Sequence, residues 1–115
     1  MLPLDGFFLC PHCSYRRLTP AGRSRAEAKL LATLKVLLAK QRGPRVTVTL
    51  RKLVHLAHVL GNDFDSAELH YINTRWRLIL RSRAERVAVN GSIWYAKERT
   101  ARRYRIIYYR IGVEA

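Results

Sequence analysis

The sequence predicts an α+β domain in which a helical half is followed by a β-meander. Three observations carry this. Apolar residues recur at helical spacing in three stretches between residues 24 and 83, and Asn90 and Gly91 stand between two strand-like runs. A last strand-like run, residues 102–111, closes the pattern. The chain has 115 residues, 49% of them apolar, which suffices for one modest core rather than two. The expected organisation is a short N-terminal knuckle extension, residues 1–22, and one globular body, residues 23–115.

Residues 7–16 hold the only two cysteines, Cys10 and Cys13, spaced C-x2-C with Pro11 between them. This segment resembles one knuckle of a zinc ribbon, where both thiolates face one metal. Tetrahedral zinc takes four ligands and a second CxxC is absent, so one zinc ion would be completed by His55 and His58. Their H-x2-H spacing puts them about 60° apart on a helix. His12 and His70 are the other candidates. A degenerate knuckle, a disulfide, or two small thiols packed under Phe7 and Phe8 are the alternatives to a metal.

Thr19 and Pro20, followed by the S-x-x-E pattern of Ser24 and Glu27, signal the start of the first helix. Leu30, Leu31, Leu34, Leu37 and Leu38 form its core face, and Gly43 with Pro44 stops it. Residues 45–50 alternate apolar and polar and read as a short strand. Thr49 caps a second helix, with Leu50, Leu53, Leu56, Ala57 and Leu60 as its buried stripe and Gly61 at its end. Asp65 and Glu68 form a D-x-x-E start for a third helix, residues 66–83. In it Leu69, Ile72, Trp76 and Ile79 face the core, and His70, Asn73, Thr74, Arg77 and Arg81 face away. Arg75 and Arg83 widen that basic surface.

Residues 86–96 are two strands joined at Asn90 and Gly91, a pair that tolerates positive φ at both turn positions. A further turn around residues 98–101 leads into the final strand, which interleaves Arg102, Arg103, Arg105 and Arg110 with Tyr104, Tyr108 and Tyr109. Guanidinium groups pair bidentately with phosphate, and tyrosines offer a face to a base, so this mixture suits a nucleic-acid surface. Tyr104, Ile106 and Tyr108 share one strand face and Ile107, Tyr109 and Ile111 the other, so several rings also qualify as core.

Lys and Arg number 22 against 8 Asp and Glu, a formal charge of +14 that repels itself unless a polyanion neutralises it. Seventeen of the 22 are Arg, while Gln and Met occur once each and Asn three times; this suits either a thermophile or a GC-rich genome. No apolar run is long enough for a membrane span, and the first residues lack the pattern of a signal peptide, so a soluble, cytoplasmic protein without membrane contact is expected. The carboxylates are scattered, the histidines lack acidic partners at a telling spacing, and no nucleotide-binding glycine pattern occurs. An enzyme with a small-molecule substrate is therefore not expected, and no catalytic residue is assigned.

The order of helix, short strand, helix, tight turn, helix and β-hairpin resembles the winged helix-turn-helix family over residues 23–111. Residues 48–61 are similar to that family's second helix, with a polar cap, buried leucines and a closing glycine. The resemblance implies that residues 66–83 are the recognition helix and that Lys97 and Arg99 lie in the wing, with Arg102 and Arg103 just after it. A DNA-binding transcription regulator or chromatin protein of this type would read a major groove through Asn73, Arg77 and Arg81. Basic residues are not confined to the recognition helix and wing, however. Arg16 and Arg17 flank the knuckle, and others occur on every helix and on the first and last strands. A protein embedded among several RNA segments uses such a distribution, so a structural RNA-binding protein is the first expectation. Its partners would be ribosomal RNA and neighbouring ribosomal proteins. The DNA regulator is the alternative, and a protein-interaction module whose charge serves solubility is the third.

Overall fold

The computed structural model describes residues 7–9, 16–98 and 105–113, with the backbone alone at 7–9, 16, 17, 98, 112 and 113. The elements are β1 (Phe7–Leu9), β2 (Arg16–Leu18), α1 (Pro20–Ala39), β3 (Arg45–Val48), α2 (Leu50–Val59), α3 (Ser66–Arg83), β4 (Arg86–Val89), β5 (Ser92–Glu98) and β6 (Ile106–Val113). The fold is α+β, with three helices against a four-stranded antiparallel sheet.

Local chemistry sets most of the boundaries. Thr19 Oγ1 accepts from the Gly22 amide at 3.3 Å, and Pro20, whose fixed φ suits a first turn, begins α1. The helix therefore starts ahead of the expected Ser24 and Glu27 pair. Glu27 sits inside it with its carboxylate committed to α3. The line drawn between residues 22 and 23 falls within α1, and Leu18 of β2 is buried in the main core. Strand β2 packs on α1 and α3, while its partner β1 pairs with it antiparallel from Phe7↔Leu18 to Leu9↔Arg16.

Thr49 Oγ1 accepts from the Lys52 amide at 3.2 Å and caps α2, which ends where Gly61 takes φ +74. Leu60, expected in the buried stripe, is 47% exposed. It is the C-cap residue, where the chain leaves the helix and the stripe no longer points inward. At α3 the expected box is complete: Asp65 Oδ1 accepts from the Glu68 amide at 2.8 Å, and Glu68 Oε1 accepts from the Asp65 amide at 3.0 Å. Asn90 and Gly91 adopt φ 50 and 75, the paired positive values of a two-residue hairpin turn.

The sheet runs in the order β3-β6-β5-β4. Strand β6 is central, pairing with β3 from Arg45↔Tyr109 to Val48↔Ile106 and with β5 along its length. A register shift falls between Ile93 and Trp94. Val48, Val87, Trp94, Ile106 and Tyr108 point to the helices, whose Leu30, Leu34, Leu38, Leu53, Ile72 and Leu80 meet them in one core. Each fully buried leucine contributes about 2 kcal/mol, so α1 is held by packing more than by its own helix propensity.

Tyr108 belongs to this core. Its hydroxyl donates to the Ala84 carbonyl at 2.6 Å, and burial holds its pKa well above the ordinary tyrosine value. The ring is thus structural, whereas Tyr109, one residue on, points the other way and is half-buried. No helix among the described residues is long and apolar enough to cross a membrane.

Candidate nucleic-acid interface

Several of the basic side chains of the described residues lie on three surfaces, while Arg25, Lys35, Lys40, Arg42, Arg51 and Lys52 are exposed on α1, just after it and on α2. The first is the outward side of α3, which the Asp65–Glu68 box starts and Ile72, Trp76, Ile79 and Leu80 anchor to the core. His70, Asn73, Thr74 and Arg81 are exposed along it and Arg77 is half-buried. The expected stripe is therefore contiguous.

The second lies in the seam between α1 and α3, around Tyr71. The Arg75 guanidinium stands 5.1 Å from the Tyr71 ring centroid and that of Arg23 5.7 Å, within cation–π range. The Tyr71 hydroxyl donates to Glu27 Oε2 at 2.9 Å, and Arg83 Nε pairs with Glu27 Oε1 at 3.2 Å. Burial, then the Glu27 hydrogen bond and charge, raise the Tyr71 pKa, and Arg75 and Arg23 oppose them. One carboxylate thus orders a cluster of three guanidiniums. Tyr71 has no role assigned from the sequence, and Glu27 is expected there only as part of a helix start. The four-residue steps from Arg23 to Glu27 and from Tyr71 to Arg75 were the available signal, since residues so spaced share a helix face.

The third surface is the side of the sheet turned away from the helices, where Arg45, Arg86 and Lys97 are exposed. Arg81 of α3 and Lys97 of β5 also share a groove of about 790 Å3 with Leu78, Ser82, Glu85 and Tyr95. The groove thus joins the α3 stripe to the end of β5 that leads into residues 99–104. Arg99, Arg102 and Arg103 lie outside the described residues, as does Tyr104, and so do the side chains of Arg16 and Arg17. Arg105 is half-buried just before β6.

Arg110 stands apart from all three surfaces. Its Nη2 donates to the Gln41 carbonyl at 2.8 Å, its guanidinium lies 4.8 Å from the Trp94 ring centroid, and its Nε is buried without a hydrogen-bond partner. It points to the helix side, tying the end of α1 to β6.

The proposed zinc ligands are divided. Cys10 and Cys13 lie outside the described residues. His55 and His58 are both exposed on α2 and line one shallow groove with Leu50, Arg51 and Val54, so the helix does bring the two imidazoles to one side. His58 Nδ1 is 2.8 Å from Asp63 Oδ1. Among the described residues no group of three or more His, Cys, Asp or Glu side chains could hold a metal.

Compared with known proteins, the chain matches no family model, no curated sequence and no solved structure.

Proposed function

We propose that this chain is a strongly basic nucleic-acid-binding protein of the winged-helix type, a structural component of an RNA assembly such as the ribosome rather than an enzyme. The observation that carries the reading is the distribution of cationic groups. Arg23, Arg75 and Arg83 on the helix seam, Arg77 and Arg81 on the α3 stripe, and Arg45, Arg86 and Lys97 on the sheet address different directions. Phosphates of a folded RNA surround a protein in this way, whereas a DNA duplex is met on one face. The order α1, β3, α2, α3 and then the sheet, with β3 hydrogen-bonded to the last strand, supports the winged-helix component. Strand β4 is an addition before the two strands that would carry the wing.

The second reading, a DNA-binding regulator or chromatin protein, is favoured by one feature: Asn73, Thr74, Arg77 and Arg81 follow one another along a single outward stripe of α3, as major-groove reading requires. Sedimentation of a native cell extract at high salt separates the two. Comigration with a ribosomal subunit is the expected result, and a chromatin-bound pool selects the regulator. A cytoplasmic location follows from the first reading.

A further inference from the structure

We propose that the solvent-facing side of the four-stranded sheet is a stacking platform for unpaired bases of single-stranded RNA, formed by Tyr109 and Tyr95 between Arg45 and Arg86. The inference deepens the nucleic-acid reading above and rests on it. It comes from the register. Arg45 lies opposite Tyr109, Tyr109 opposite Tyr95, and Tyr95 opposite Arg86, so four side chains on four adjacent strands form one cross-sheet row. Directly opposed side chains on neighbouring strands are about 5 Å apart at Cβ, close enough for the two rings to make one continuous surface.

Strand alternation decides which tyrosines are available. The neighbouring row, Val46, Tyr108 and Ala96, points into the core and is buried throughout. The row beyond it, Thr47, Ile107 and Lys97, returns to the outer side and adds a third cation, but its central Ile107 is buried, so the open part of this face is the tyrosine row. Neither outward row contains a carboxylate. Tyr95 is 38% exposed, and its hydroxyl donates to Glu85 Oε1 at 3.1 Å, which restrains the ring. Ile111, at the register shift beyond Arg110, is 51% exposed.

The chemistry selects the occupant. Aromatic faces stack bases without regard to sequence, and guanidiniums at both ends of the row meet the phosphates on either side of the stacked nucleotides. A base in a duplex has its faces already covered, so only unpaired nucleotides can use the platform. This division leaves duplex RNA segments to the helix surfaces and assigns a single-stranded segment to the sheet.

The test is titration of the full chain with an eight-nucleotide RNA carrying 2-aminopurine, whose emission is quenched on stacking. A single-stranded DNA of the same sequence and a duplex RNA of equal length serve as competitors. The variants are Tyr95→Leu with Tyr109→Leu, which keep apolar bulk in the sheet, and Tyr95→Phe, which keeps the ring. The expected result is quenching, an affinity for the RNA octamer that falls roughly tenfold or more in the double leucine variant, and near wild-type binding by Tyr95→Phe. Duplex binding should not change. Replacing Arg45 and Arg86 with Gln should reduce the log–log salt slope for the octamer by about 1.4. Octamer binding that ignores the tyrosine variants would overturn the platform while leaving the wider nucleic-acid reading in place. Failure to bind any nucleic acid would overturn both. Equal or tighter binding of the DNA strand would overturn the RNA assignment. Self-association abolished by the leucine variants, with octamer affinity unchanged, would show the face to be a protein interface instead.

Discussion

Arg110 and Tyr108 alternate with Tyr109 in one strand, yet they do different work because they point inward. Arg110→Met should lower unfolding stability by about 2 kcal/mol, through loss of the Gln41 hydrogen bond and the Trp94 contact, and leave the salt dependence of nucleic-acid binding unaltered. Denaturant unfolding and a salt titration check the two halves. Tyr108→Phe should cost about 1 kcal/mol at neutral pH, since the Ala84 carbonyl loses its donor. The pH dependence has a definite sign. Burial raises the Tyr108 pKa, so the neutral hydroxyl is the form the fold keeps. The contribution is intact below the ordinary tyrosine value of about 10 and is lost as pH rises towards the higher folded value. Alkaline destabilisation should therefore be shallower in Tyr108→Phe, with Tyr71, shifted in the same direction, supplying part of what remains.

At the level of elements, signals that act within a few residues were readable and long-range ones were not. The Asp65–Glu68 box, the Thr49 cap and the turn at Asn90 and Gly91 each depend on hydrogen bonds or backbone angles between near neighbours, and each fell where residue type and spacing put it. The inward stripe of α3 followed from periodicity alone. Which tyrosines of β6 face outward could be narrowed only to two alternating sets. The choice between them depends on pairing with β3, some sixty residues earlier in the chain, and on Ala84 accepting the Tyr108 hydroxyl. The row from Arg45 to Arg86 has no local signature for the same reason. The Tyr71 cluster depends on the packing of α1 against α3, which spacing within either helix does not reveal. The β1–β2 hairpin carries its own prediction. If Cys10, Cys13, His55 and His58 hold zinc, protein purified without chelator should contain about one metal equivalent, and Cys10→Ser should release it. Absence of metal, with both thiols freely titratable, would leave small packed thiols as the use of the pair.

For the whole molecule the governing quantity is a charge of +14, with cations of the described residues on the helix seam, the α3 stripe and the outer sheet among other places. On the proposed nucleic-acid reading, affinity is a matter of phosphate neutralisation, so binding should weaken by several decades over a fourfold rise in salt. On the same reading, specificity is a matter of shape, because cations facing several directions are best met by a folded polyanion that surrounds them. The most direct measurement is competitive binding at physiological salt between a structured ribosomal RNA fragment, an unstructured RNA of equal length, and a duplex DNA pool of random sequence carried through rounds of selection. The account predicts a monomer that prefers the structured RNA and draws no consensus from the duplex pool. Enrichment of one palindromic duplex site, bound a thousandfold or so better than random duplex by a dimer, would contradict it and make the α3 stripe a reader of DNA.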